Sequence, residues 1–263
     1  MNMTKSIDFS RYSSLHIGPT LEVEVLDCIA EQNEQYHIIG RANNLLLGPK
    51  VSNLAILGDA FNYIEQKKNK LHVGCATSSG KLLTYTRKHD IANLEFLAKL
   101  PGNLGGLTKM NAGLKQWEVF NYIHSIKTKD GYILKEDIDH GYRHTKIDSI
   151  IYEVVFNVQY GYSTQNQTMF TKMRDNQPQD PSAGSCFKNP PNDSAGRLIE
   201  AVGLKGIQHG GVSFSAKHAN FLVNLGGGTF DEALYLINLA QQKVHEQFNI
   251  SLEVEIEILN GKV

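Results

Sequence analysis

The end of the chain changes its hydrophobic period. In "TFDEALYLINLAQQKVHEQF", Thr229 to Phe248, apolar residues recur at helical spacing. Ala233, Leu234, Ile237, Ala240, Val244 and Phe248 fall on one stripe, and Thr229 with Glu232 makes a capping box. Directly after it, "SLEVEIEIL" alternates strictly. Leu252, Val254, Ile256 and Ile258 face one side; Glu253, Glu255 and Glu257 face the other. A long amphipathic helix running into a two-sided strand demands a sheet with a helix packed on it.

Upstream, short β-rich runs dominate: "EVEVL", "YHIIG", "LAILG" and "KLHVGC". "SSGKLLTYTRKHD" has helical spacing, with Ser79 as its cap candidate. "IIYEVVFNVQY", Ile150 to Tyr160, reads as a long strand, and the polar "GYSTQNQT" after it as a connector. "SAGRLIEAVG" reads as a short helix capped by Ser194 or Asp193 and stopped by Gly203. The expected class is α+β, with a β-rich N-terminal part and a mixed C-terminal part. No G-x-G-x-x-G follows a strand, which argues against a dinucleotide-binding Rossmann unit.

Bulk properties narrow the function classes. A chain of 263 residues suits two or three lobes of roughly 60–120 residues. A formal net charge of −1 favours neither nucleic acid nor an anionic membrane surface. No apolar run approaches the ~18 residues of a membrane span, and the start lacks the apolar core of a secretory signal. Cys28, Cys75 and Cys186 are far apart, and no C-x-x-C pair occurs. Neither a disulfide framework nor a zinc site is indicated, and a reduced cytoplasm is the simplest compartment. The ten histidines form no H-E-x-x-H cluster, so no metal is expected. His218 in "KHANFLVN" reads as a polar residue entering an apolar strand.

Two loops are candidates for holding phosphate. "IIGRANNLLLGP" turns sharply at Gly40 and carries two asparagines. "LPGNLGGLTKMNAG" has Gly102, Gly105, Gly106 and Gly113, which free the backbone to aim several N–H groups into one concavity. Tight turns with no ligand are the competing reading, and neither loop alone names a ligand. A third segment, "PSAGSCFKNPPNDSAGRLIE", holds Ser185. It lacks the G-x-S-x-G elbow and no paired histidine–acid motif accompanies it, so a hydrolase triad is weakly supported. Nucleophile, proton donor and turn residue stay open on the residues alone.

In order and wording, "YSSLHIGP", "IIGRANNLL", "EFLAKLPGNLGGLTKMNAG", "GYRHT", "SAGSCFKNP", "AGRLIEAVGLKG", "KHANFLVN" and "LEVEIEIL" resemble the UDP-N-acetylenolpyruvoylglucosamine reductases. The likeness covers nearly the whole chain, and "PGNLGG…MNAG" and "AGSCFKNPP" are its specific motifs. The long tyrosine-containing insertion of the larger subgroup is absent, as in the shorter subgroup. The first loop reads Gly40-Arg41-Ala42-Asn43-Asn44 where glycine–glycine–glycine–serine–asparagine is common. Asn103 stands in a threonine position and Thr145 in a serine position.

The resemblance implies a vanillyl-alcohol-oxidase-like flavin fold. Residues 1–67 and 68–176 would form two FAD-binding lobes, with 252–263 returning to the second, and 177–251 a substrate lobe. It implies tightly bound FAD, NADPH as co-substrate and a UDP-sugar substrate. The protein is expected to be a cytoplasmic monomer of peptidoglycan synthesis. Cofactor contacts would come from Gly40, Arg41, Ala42, Asn43, Asn44 and Leu45, and from Pro101, Gly102, Asn103, Gly105, Gly106, Asn111, Ala112 and Gly113. Arg143 would stabilise an enolate, helped by Glu255, whose pocket burial would favour the neutral acid. Ser185 would protonate the carbanion. Tyr142, Lys188 and Asn189 would contact substrate, and Cys186 would be a packed thiol. Another FAD-dependent oxidoreductase of the same fold, or a non-catalytic nucleotide-binding protein, are the alternatives.

Overall fold

The computed structural model describes residues 3–261. The chain forms two compact units. Val23–Gly40 and Asn53–Asp175 make up the bulk of the first. Ser6–Glu22, Arg41–Ser52 and residues 176–261 make up the second. The class is α+β, as the change of period requires.

The first unit is built on a five-stranded antiparallel sheet. Its order is Gly131–Leu134, Ile123–Thr128, Glu153–Asn157, Lys70–Gly74, Ile64–Lys67. The central strand, Glu153–Asn157, is buried from Glu153 through Phe156 because both faces are covered. Val154 and Phe156 join the core of Leu71, Val73, Leu82, Phe96 and Phe120. The strand is shorter than the expected Ile150–Tyr160 run. Of the polar Gly161–Thr168 stretch read as a connector, Thr164 onward instead opens the helix Thr164–Met173, capped by the Ser163 hydroxyl. Only Phe170 of that helix is buried, so it has no apolar stripe to betray it. In the helix Ser79–Lys88 the cap is Ser78, which accepts from the Lys81 N–H, and not Ser79.

The second unit carries a four-stranded sheet in the order Ser182–Ser185, Phe221–Asn224, Val212–Phe214, Gln208–His209. The helices Ala195–Ala201 and Phe230–Phe248 share its core. Ser194 caps the first, and Gly203 at φ 75° ends it in the left-handed region that glycine enters without strain. The second has the expected capping box, complete in both directions. Its buried residues are Phe230, Ala233, Leu236, Ile237, Ala240 and Val244. Leu236 replaces Leu234 in the stripe, and Leu234 and Phe248 are half-buried at its margins.

The C-terminal alternation is not one strand. The Lys188 N–H donates to Glu253 O and the Glu255 N–H to Cys186 O, with an antiparallel bridge between Phe187 and Val254. Glu257–Leu259 then runs parallel to Leu45–Leu47. Two partners in different directions break the period. Leu252, Ile256 and Leu259 are buried, while Ile258 is only half-buried.

Candidate active site

In the first unit, Arg143 occupies the tip of a small hairpin between His140–Gly141 and His144–Thr145. Its backbone is left-handed, at φ 58°. A non-glycine residue in that region is a strained placement that surrounding contacts must hold. The contacts are specific. Arg143 Nη2 donates to Gly113 O at 3.1 Å and Nη1 to Asn111 O at 3.4 Å. Glu118 Oε1 lies 3.7 Å from Nη1, and the guanidinium stands 5.0 Å over the Tyr142 ring.

Asn111 organises this corner. It is 1% exposed, and its Nδ2 donates to Glu118 Oε2 and to Gly141 O, both at 2.9 Å. Its Oδ1 accepts from the Phe120 N–H at 3.1 Å. Thr145 Oγ1 adds a bond to Lys109 O at 2.6 Å. The second glycine loop therefore builds the seat of the arginine hairpin.

This divides the loop residues by task. Asn111, Ala112 and Gly113 are buried. Asn111 spends its side chain on protein partners, and Ala112 bonds through its backbone to Leu107 and Val119. A Cβ on Gly113 would stand 2.1 Å from Trp117 O, so glycine is needed there for a close backbone approach. The N–H groups of Leu104 and Gly105 donate to Thr77 O and Cys75 O. These N–H groups are therefore engaged within the protein. Pro101 and Gly106 are exposed and Gly102 and Asn103 half-buried, and a Cβ on Gly106 would meet nothing within 4 Å.

The first glycine loop also has an open side. Gly40 turns at φ 52° with nothing near a would-be Cβ. Ala42, at φ 49°, is fully buried and accepts from the Ser14 N–H at 3.2 Å. Asn43 Nδ2 donates to the Ser14 hydroxyl, which leaves its buried Oδ1 without a partner. Asn44 Nδ2 donates to Glu255 O at 2.9 Å. Leu45 is buried in its strand, while Arg41 is exposed. Open space at Gly40 and Gly106 is compatible with the phosphates of a nucleotide cofactor, and the orphaned Asn43 carbonyl with one of its hydroxyl or amino donors.

In the second unit, a bulge between Ser182 and Ser185 sets the serine, helped by Gly184 at φ 88°. Ser185 is half-buried, and its hydroxyl has no hydrogen-bond partner among the described residues. Cys186 is fully buried, and burial, then the charge of Glu255, pushes its thiol pKa up. Asn220, which sequence reading passed over within "KHANFLVN", clamps this segment. Its backbone oxygen accepts from Cys186, its Oδ1 accepts from the Phe187 N–H, and its Nδ2 donates to Phe187 O. Lys188 pairs with Glu253 at 2.5 Å, and Asn189 Oδ1 accepts from the Ala195 N–H at 3.0 Å. His218 packs its ring on Phe221, and burial lowers its pKa. Among the described residues, no cluster of His, Cys, Asp or Glu could hold a metal ion, and no helix is long and apolar enough to cross a membrane.

Residues 177–259 match the C-terminal domain of UDP-N-acetylenolpyruvoylglucosamine reductase. The chain is 45% identical over 254 residues to the UDP-N-acetylenolpyruvoylglucosamine reductase of Helicobacter pylori, covering 97% of this chain and 98% of that one. The chain belongs to the UDP-N-acetylenolpyruvoylglucosamine reductase family. The reductase of Campylobacter jejuni is 44% identical over 258 residues, covering 96% and 99% of the two chains. The crystal structure of the Thermus caldophilus reductase matches with a TM-score of 0.87 at 28% identity, over 99% of this chain and 100% of that one. The expected flavoenzyme fold is therefore the fold of this reductase, and the chain is an oxidoreductase.

Proposed function

We propose that the protein reduces the enolpyruvyl group of UDP-N-acetylglucosamine enolpyruvate to give UDP-N-acetylmuramate, with NADPH as reductant and FAD as bound cofactor. The observation that carries this reading is the built seat of Arg143 in a chain of this family: a strained backbone, two carbonyl acceptors and one carboxylate fix a single guanidinium. The open space beside Gly40 and Gly106 and the partial exposure of Gly102 and Asn103 support FAD at the two loops, and residues 1–67 and 68–176 are assigned to it. Residues 177–251 are assigned to the substrate. The enzyme is read as a cytoplasmic monomer of peptidoglycan precursor synthesis.

Bound FAD would accept hydride from NADPH and supply it to the vinyl terminus of the enolpyruvyl group. The chain's residues then manage charge and a proton. Arg143 faces the charge that develops on the substrate carboxylate as the adjacent carbon becomes carbanionic. A planar, permanent cation in a fixed position stabilises that charge without reorganising. Glu255, as the acid, donates a hydrogen bond to the same enolate. Ser185 delivers the proton to carbon. A hydroxyl is a weak acid, but a carbanionic centre is a strong base, so the transfer is downhill. A hydroxyl with no protein partner suits that task. Tyr142, Lys188 and Asn189 are read as substrate contacts; Lys188 would exchange its exposed Glu253 partner for a substrate oxygen.

The test is turnover. The purified protein should bleach its bound-flavin absorbance near ~450 nm with NADPH alone, and should regain it and turn NADPH over continuously only when the enolpyruvyl sugar nucleotide is present. A colourless protein that takes up no FAD, or NADPH oxidation indifferent to this substrate, would contradict the reading.

A further inference from the structure

Arg174 ends the helix Thr164–Met173 and is only 8% exposed. Its Nε and Nη2 atoms are buried with no hydrogen-bond partner. These two nitrogens lie on one edge of the guanidinium. That edge presents two parallel N–H groups, the geometry that receives both oxygens of a carboxylate or two oxygens of a phosphate. A guanidinium cannot shed its charge inside a protein. An unpaired one in the interior is therefore a standing penalty, tolerated where something else needs it.

The nearby acids do not relieve it. Asp175, next in the chain, is exposed and pairs with Lys99 at 3.1 Å. Glu118 is held by Asn111 and lies by Arg143. Carbonyls at the helix end supply only partial negative charge. Burial, and then the positive charge of Arg143, bring the Arg174 pKa down to about 10. Arg143 therefore adds a second guanidinium to this neighbourhood, and the carboxylates of Asp175 and Glu118 are both already engaged.

We propose that Arg174 is a second anion-binding residue of this site, whose open Nε/Nη2 edge takes a two-oxygen anion brought by a participant in the reaction. The inference rests on the reductase reading for the identity of that participant. The shared chemistry is a carboxylate or phosphate. It has three sources: the enolpyruvyl carboxylate, the diphosphate of the UDP-sugar and the pyrophosphate of FAD.

The test uses the full chain and Arg174→Met, which keeps much of the stem and removes the charge, with Arg174→Lys as a second variant that keeps the charge and loses the fork. Wild type is first assayed for FAD binding and turnover; failure there sinks the reductase reading and this inference together. With wild type active, calorimetry compares FAD with riboflavin, and the enolpyruvyl substrate with UDP-N-acetylglucosamine. Losing a bidentate charged hydrogen bond should weaken the ligand concerned by roughly 10- to 100-fold. A loss for FAD but not riboflavin assigns the pyrophosphate. A loss for the enolpyruvyl substrate alone assigns its carboxylate, and an equal loss for both sugar nucleotides assigns the diphosphate. The ligand-free melting temperature of Arg174→Met should stay level or rise, because an unpaired buried charge has been removed. A structural arginine would do the reverse. Unchanged affinity for all four compounds in a folded variant overturns the proposal, and so does a large drop in the ligand-free melting temperature with normal affinities. Should neither variant fold, wild type still decides. The nitrogen-15 NMR signal of the Arg174 Nε–H must move on adding FAD or the enolpyruvyl substrate, and a signal indifferent to both rejects the idea.

Discussion

Nη2 of Arg143 donates to the carbonyl oxygen of Gly113 at 3.1 Å. A segment that sequence alone reads as a phosphate cradle is thereby also the support of the arginine. A lysine at 143 would keep the charge but could not hold two carbonyls and a substrate carboxylate in one plane. Arg143→Lys should lose on the order of 3 kcal/mol of transition-state stabilisation, or ~10²-fold in kcat, with FAD still bound. Steady-state kinetics on flavin-loaded protein checks this; near-normal kcat would remove Arg143 from the chemistry.

Asn111 sits at φ 44° and holds Glu118, Gly141 and Phe120 with its side chain. Asn111→Gly keeps the left-handed backbone accessible and deletes those three bonds. Stability should fall by roughly 3 kcal/mol at about 1 kcal/mol each. Because the arginine hairpin is attached through them, kcat should fall as well. Denaturant unfolding alongside kinetics reads both. A stable variant with full activity would show that the hairpin holds itself.

Ser185→Ala separates proton donation from every other role. NADPH should still bleach the flavin at close to the wild-type rate. The return of flavin absorbance on adding substrate should slow by roughly 10²–10⁴-fold, the range for losing a positioned acid. Ser185→Cys should recover part of it. Stopped-flow absorbance resolves the two phases, and equal slowing of both, or a normal second phase, rejects the assignment.

Gly106 is exposed on the helix Leu104–Lys109, with open space where a Cβ would go. Gly106→Ala should leave the fold as stable as wild type or slightly more stable, since the unfolded chain loses freedom. If FAD approaches this backbone, its affinity should nonetheless drop. Calorimetry with FAD and a thermal melt give the two numbers, and unchanged affinity would move the cofactor away from Gly106.

Glu153 is 5% exposed yet accepts from Tyr63 at 2.5 Å and Tyr132 at 2.8 Å, and its other contact is His72 at 2.9 Å. Burial alone would raise its pKa, but these three partners outweigh it and hold the pKa below the ordinary value. A depressed carboxylate contributes stability above the unfolded-state pKa of roughly 4.3 and loses it as pH falls through the folded value. Glu153→Gln should therefore be destabilised at pH 7 by roughly 2 kcal/mol and show less further loss on acidification below pH ~4 than wild type. Circular dichroism melts across that range test the sign; parallel curves for both proteins would mean Glu153 is not an acid-sensitive group.

What the sequence determined by itself was local. The capping box of Thr229 and Glu232, the Ser194 cap and the Gly203 stop depend on residues three or four apart, and the structure has all of them. The resemblance in "PGNLGG", "GYRHT" and "AGSCFKNPP" carried the family. Tertiary structure decided whatever depended on distant partners. The alternation of "SLEVEIEIL" could not reveal that its first half pairs with Cys186–Lys188 and its second with Leu45–Leu47. The helix Thr164–Met173 has one buried residue, so periodicity had nothing to report. The engagement of Asn111, the clamp of Asn220 on Phe187 and the unpaired burial of Arg174 arise from groups brought together across the chain. Hydrogen-bond satisfaction and desolvation are properties of the packed neighbourhood, and a single residue's letter does not encode them.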